Sequence, residues 1–208
     1  ITTKPADVAA LMASKYLDTD MSVDDKMKEM IFQIGEKMEI RRFVIVEGLT
    51  STYIHGTGSI GVIAKFDTDV ADKDGFAEFA KNIALQIAAG SPPTYVAKEN
   101  VPQKAIDEEM DIQVAAAKND PKLANKPENV LKNIVAGKMG KLFFEKVCLL
   151  EQPYVKDDAM SVGKYVASCA KAMGAEVAVK AFYIFEKGEG IEKREDDFAA
   201  EIEKMVKG

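Results

Sequence analysis

The chain has 208 residues, 47% of them hydrophobic and 30% charged, enough apolar mass to bury a core in one or two domains. A formal charge of −6, with lysines scattered among acids, sets the long-range field against a phosphate backbone and argues against a nucleic-acid partner. No apolar run approaches the roughly 20 residues of a membrane-spanning helix, and no basic start followed by an apolar stretch marks a leader peptide.

In chain order, the first expected element is a helix opened by Pro5, with Val8, Leu11, Met12 and Tyr16 on one face at three- and four-residue spacing. A second helix follows Ser22, an N-cap residue with Asp24 and Asp25 in the first turn, and carries Met27, Met30, Ile31 and Ile34 as its apolar stripe until Gly35 weakens it. Residues 43–46 and 60–66 are short runs rich in β-branched and aromatic side chains, which predicts two strands of one sheet. An acidic loop, 67–74, lacks the glycine and terminal glutamate of a calcium-binding EF-hand. It leads to a helix over 75–89 that buries Phe76, Phe79, Ala80, Ile83 and Ile87 and ends at Gly90, Pro92 and Pro93.

From Pro102 two amphipathic helices are expected, one carrying Ile106, Met110, Val114 and Ala117, the other Val130, Leu131, Ile134, Val135, Met139 and Leu142. The polar turn between them, 119–127, makes the pair an antiparallel helical hairpin. After an apolar run at 147–150 and a loop at 152–155, Ser161 caps a helix holding Val162, Tyr165, Val166, Cys169 and Met173, closed by Gly174. Residues 177–185 alternate only partly yet form the third strand, and a terminal helix aligns Phe198, Ile202 and Met205. The fold class that follows is α+β: a small antiparallel sheet with helices packed on one face, an inserted helical hairpin and a C-terminal helix.

Chemistry is sparse. Cys148 and Cys169 lie far apart in apolar stretches, as buried thiols in a reducing compartment would. One histidine, His55, cannot build a His-rich metal site, and no nucleophile-elbow signature accompanies it. Gly56-Thr57-Gly58-Ser59-Ile60-Gly61 matches G-x-G-x-x-G by letter, but it leads into a strand rather than opening a helix, so it reads as a hairpin turn instead of a nucleotide cradle.

Several segments resemble, in order, the signatures of the translation elongation factor Ts family. They are Ile34-Gly35-Glu36-Lys37-Met38-Glu39-Ile40-Arg41-Arg42, Tyr53-x-His55-Gly56, Ile60-Gly61-Val62, Glu151-Gln152-Pro153-Tyr154-Val155, Phe185-Glu186-Lys187-Gly188-Glu189-Gly190-Ile191-Glu192-Lys193 and Asp197-Phe198-Ala199-Ala200-Glu201. The helical hairpin falls where that family carries a coiled-coil arm. The resemblance implies a cytoplasmic guanine-nucleotide exchange factor, bacterial or organellar, that binds elongation factor Tu and promotes GDP release. It would do so with no chemistry, cofactor, metal or small-molecule substrate of its own. It also implies a division into the remainder of a first core subdomain (1–47), a second subdomain (48–97 and 149–187), the hairpin (98–148) and a C-terminal module (188–208).

The same resemblance places Ile34, Gly35 and His55 at the partner interface, joined by Val155, Phe198 and Ile202. Arg41 and Arg42 divide evenly between interface and scaffold. The family's exchange signature, Thr-Asp-Phe-Val, does not occur; the nearest string, Thr68-Asp69-Val70-Ala71, lacks the phenylalanine, so no magnesium-displacing role passes to Asp69. With a chain that begins at Ile1, this implies that the N-terminal domain and the opening strands of the first subdomain are missing, and that binding outlasts efficient exchange. Two rival readings stand beside it: an enzyme using His55 as base, and an interaction module that forms a homodimer through its helical hairpin.

Overall fold

The computed structural model describes residues 4–69 and 74–190. The chain divides into two compact units, Ile1–Gly48 and Leu49–Gly208.

In Ile1–Gly48, helix α1 runs over Val8–Ala13 and helix α2 over Val23–Ile34. The first begins three residues later than its proline suggests, because Asp7 is the N-cap and its carboxylate accepts the Ala10 N–H at 2.8 Å. Tyr16 therefore lies beyond it. For α2 the Ser22 cap is present as a full capping box. The Asp25 N–H donates to Ser22 Oγ at 3.0 Å, and the Ser22 hydroxyl and N–H both donate to Asp25 Oδ2, at 2.7 and 3.3 Å. The Ser22 hydroxyl, then its backbone N–H, hold the Asp25 carboxyl below its ordinary range.

One expectation fails in this unit. Residues 43–46 form no strand; with Leu11, Tyr16 and Val23, Phe43, Val44 and Ile45 line an apolar groove of about 370 Å³. The partner of the Ile60 strand is instead Leu49–His55, which is adjacent in sequence and closes through a four-residue turn. A short loop costs little entropy, so the local hairpin outcompetes a pairing across the Gly48 boundary.

In Leu49–Gly208, strands β1 (Leu49–His55), β2 (Ile60–Thr68) and β5 (Val177–Glu186) form an antiparallel sheet in the order β1-β2-β5, while β3 (Pro153–Tyr154) and β4 (Asp157–Ser161) make a separate small ribbon. The Gly56-x-Gly58 motif makes the β1–β2 turn. Gly56 and Gly58 have φ of 59° and 91°, the left-handed region glycine enters freely, and the Gly58 and Ser59 N–H groups both donate to the His55 carbonyl, at 3.3 and 3.2 Å.

The broken alternation of β5 has a structural cause. Val177 and Val179 face the core, then Phe182 and Ile184 do, because the register slips by one residue opposite Lys65 and Phe66. This β-bulge at Lys180 keeps Val179, Phe182 and Ile184 opposite Phe66, Ala64 and Val62. Helices α3 (Phe76–Ala89) and α7 (Val162–Met173) cover that one face. Phe79, Ile83 and Ile87 from α3 and Val162 from α7 are at most 2% exposed in the shared core.

The helical hairpin comprises α4 (Gln103–Lys118) and α5 (Glu128–Met139), packed on each other. It has its own core of Val114, Leu131, Val135 and Met139, distinct from the sheet core. Its two ends are pinned side by side: the Thr94 and Tyr95 N–H groups donate to the Val147 carbonyl, and the Leu149 and Leu150 N–H groups to the Tyr95 and Val96 carbonyls. The second arm is not one continuous α-helix as its spacing suggests. A π turn over Gly140–Phe144, with the Glu145 N–H reaching the Gly140 carbonyl, precedes helix α6 (Glu145–Val147). The extra residue in that turn brings the adjacent Phe143 and Phe144 both against the arm core, ring centroids 5.4 Å apart. The expected terminal helix lies outside the described residues.

Candidate functional site

Of the sequence-derived candidates among the described residues, Ile34 and Gly35 belong to the first unit and His55 and Val155 to the second. Ile34 is the last residue of α2 and is 55% exposed. Gly35 follows as the C-cap, with φ of 78° and its N–H donating to the Ile31 carbonyl at 2.9 Å; a side chain there would strain the backbone. Together they end the helix abruptly and leave an aliphatic side chain half in solvent. Phe32, 90% exposed, stands on the same last turn. Sequence reasoning passed over it because it lies off the Met27, Met30, Ile31 stripe, and that misfit was itself the available signal.

In the second unit His55 ends β1 and Val155 lies in the β3–β4 turn, and no hydrogen bond, ion pair or ring contact joins the two among the described residues. Val155 is 48% exposed, yet its backbone is firmly held. Its N–H donates to Gln86 Oε1 at 2.7 Å, while Gln86 Nε2 donates to Gln152 Oε1 at 3.3 Å and to the Pro153 carbonyl at 3.2 Å. Gln152 Nε2 in turn donates to the Ser91 carbonyl at 2.9 Å. Gln86 and Gln152 are 2% and 4% exposed, so each amide is satisfied within the protein, as buried polar groups must be.

A second chain of contacts flanks the same turn. Lys156 Nζ donates to Asn82 Oδ1 at 2.7 Å, Asn82 Nδ2 donates to the Tyr165 hydroxyl at 2.9 Å, and the Tyr165 ring stacks on Tyr154 with centroids 4.1 Å apart. Burial pushes both tyrosine hydroxyls above their ordinary range. Gln86 escaped the sequence reading, and Gln152 entered it only within a family signature, although an amide on the buried face of an apolar helix is the pattern that marks such a network.

Burial raises the Cys148 thiol to about 11, which suppresses the nucleophilic thiolate; Cys148 and Cys169 are both free thiols. Among the described residues no group of three or more His, Cys, Asp or Glu could hold a metal ion, and no helix is long and apolar enough to cross a membrane. Arg41 and Arg42 border a groove of about 420 Å³ beside Asp7 and Val8. Phe198 and Ile202 lie outside the described residues.

Ile34 and Val155 are thus part-exposed aliphatic side chains at or beside positions whose backbone N–H is hydrogen-bonded within the protein. The family model for elongation factor Ts matches residues 1–189. The chain is 39% identical over 210 residues to elongation factor Ts of Syntrophotalea carbinolica, covering all of this chain and 67% of that protein. It is 38% identical over 205 residues to that of Clostridium kluyveri, covering 97% and 65%, and 39% identical over 201 residues to that of Clostridium perfringens, covering 95% and 64%. It thus spans about two thirds of the length of these relatives, and by this match along nearly its whole sequence the chain belongs to the elongation factor Ts family.

Proposed function

We propose that this chain binds elongation factor Tu and favours its nucleotide-free form, acting as a guanine-nucleotide exchange factor without making or breaking a covalent bond. The observation that carries the reading is the family match over residues 1–189. A ligand shifts an equilibrium only by its differential affinity for the two states, so GDP leaves because the factor holds the empty partner more tightly than the loaded one. Ile34 and Val155, each left about half exposed by its own unit, supply apolar contact, with Gly35 setting the end of α2. His55 supplies a polar contact, and Phe198 and Ile202 complete the set. The subdomain division at about residue 48, with the hairpin as the coiled-coil arm and 188–208 as a C-terminal module, belongs to the same proposal.

The absence of a Thr-Asp-Phe-Val string from the sequence separates binding from speed. Linkage fixes the equilibrium between empty and loaded partner, not the barrier between them. We therefore expect the chain to form a complex with elongation factor Tu, seen by gel filtration, while a fluorescent GDP analogue leaves the partner much more slowly than with a family member carrying that string. Release at the full rate would show the string to be dispensable; no complex at all would overturn the function.

A further inference from the structure

Among the described side chains, one buried nitrogen or oxygen lacks a hydrogen-bond partner: Nδ1 of His55. The residue is fixed from several sides. Its carbonyl accepts from the Gly58 and Ser59 N–H groups and, at 3.2 Å, from Ser59 Oγ, so the hairpin turn closes on it. Two residues after Tyr53, it projects to the same side of β1, and the two rings lie 6.0 Å apart at 41°. Ile60, its cross-strand partner, packs on the sheet core. His55, itself half-buried, thus stands at the rim of that core with Nδ1 buried and unpartnered; Nε2, which is not among the buried unpartnered atoms and makes no hydrogen bond to a described residue, is the ring nitrogen left open.

A neutral imidazole carries its hydrogen on one nitrogen and an accepting lone pair on the other, and the neighbours decide which. A hydrogen on Nδ1 would be a buried donor with no acceptor, the rarest kind of unsatisfied group in folded proteins. On Nε2 it stays hydrated in the free protein and can be transferred to a partner.

We infer that the fold locks His55 as the Nε2–H tautomer, so that this position presents a single outward hydrogen-bond donor and selects an acceptor oxygen on the protein that docks there. The inference rests on the binding reading above for the identity of that protein, and on the β1 geometry alone for the tautomer.

Because the chain has one histidine, a two-bond proton–nitrogen correlation spectrum reads the tautomer without assignment. The expected pattern is that of a protonated Nε2 and a bare Nδ1; a protonated Nδ1, or rapid averaging between the two forms, would overturn the inference. The contact is read with two substitutions whose amides mimic different ring nitrogens. In His55→Gln the amide NH2 reaches the place of Nε2, and in His55→Asn that of Nδ1. Affinity for elongation factor Tu should stay within about threefold of the parent for glutamine and fall about tenfold for asparagine, the loss of one hydrogen bond with its acceptor left unpaired. Equal loss, equal retention or the reverse order would overturn the donor role. Thermal melting of both variants checks that each is folded. Failure of the parent chain itself to bind would overturn the partner while leaving the tautomer result standing.

Discussion

Replacing Phe79 with alanine should lower the unfolding free energy of Leu49–Gly208 by about 3–5 kcal/mol, a large share of the roughly 5–15 kcal/mol that holds a typical domain together. Phe79 is 2% exposed and is the ring on which the core converges. Its centroid lies 5.7 Å from Phe66 on β2, 5.9 Å from Phe76 on its own helix and 5.9 Å from Tyr165 on α7. Truncation removes the apolar transfer term and three ring contacts at once, and it leaves a cavity between elements too constrained to collapse, since Ala64, Ile83 and Val162 around it are fully buried. Chemical denaturation followed by circular dichroism measures the change. Ile54→Ala, at a side chain 70% exposed on the opposite face of the sheet, should cost no more than about 0.5 kcal/mol. Similar losses at the two positions would show that the helices do not pack as described.

The helical hairpin should yield separately. Leu131, 1% exposed, belongs to a cluster with Val114, Val135 and Met139 that is distinct from the sheet core, and the arm joins the body through the short backbone ladder between residues 94–96 and 147–150. Leu131→Ala should therefore destabilise the arm locally by about 2–5 kcal/mol and leave β1, β2 and β5 protected. Hydrogen exchange resolves this: amides over Gln103–Lys118 and Glu128–Met139 should exchange faster by about 30-fold or more, with the sheet unchanged. Matching loss of protection in the sheet would mean that the two cores unfold as one. The π turn at Gly140–Phe144, where the arm's helix meets the body, is where such local opening should stop.

Much of this architecture was written in local chemistry. Ser22 with Asp25, Ser161 and Gly174 marked helix ends, the spacing of Phe76, Phe79, Ile83 and Ile87 marked a buried face, and Gly56 and Gly58 marked a turn rather than a phosphate cradle. What escaped depended on competition or on the third dimension. Residues 43–46 have strand composition, but composition does not say which of two candidate segments pairs with Ile60–Thr68; the hairpin partner won on loop length. The bulge at Lys180 made a regular strand look irregular, because a single extra residue reverses the inward parity of everything after it. The π turn hid inside a helical pattern for the same reason, one added residue shifting the apolar phase.

The candidate site was less legible still. Motif resemblance selected Ile34, Gly35, His55 and Val155, but only the fold reveals that two buried glutamines fix the Val155 turn, that Phe32 is exposed beside Ile34, and that His55 has one nitrogen inside and one outside. These are properties of burial and partner choice, which a linear pattern does not carry.

The central claim, that this chain is a ligand of elongation factor Tu with a preference for its empty state, is tested most directly by calorimetric titration of the chain into the nucleotide-free and the GDP-saturated partner. The expected result is at least about tenfold tighter binding to the nucleotide-free form, a coupling of about 1.4 kcal/mol or more. Equal affinity for the two forms, or no heat of binding to either, would contradict it.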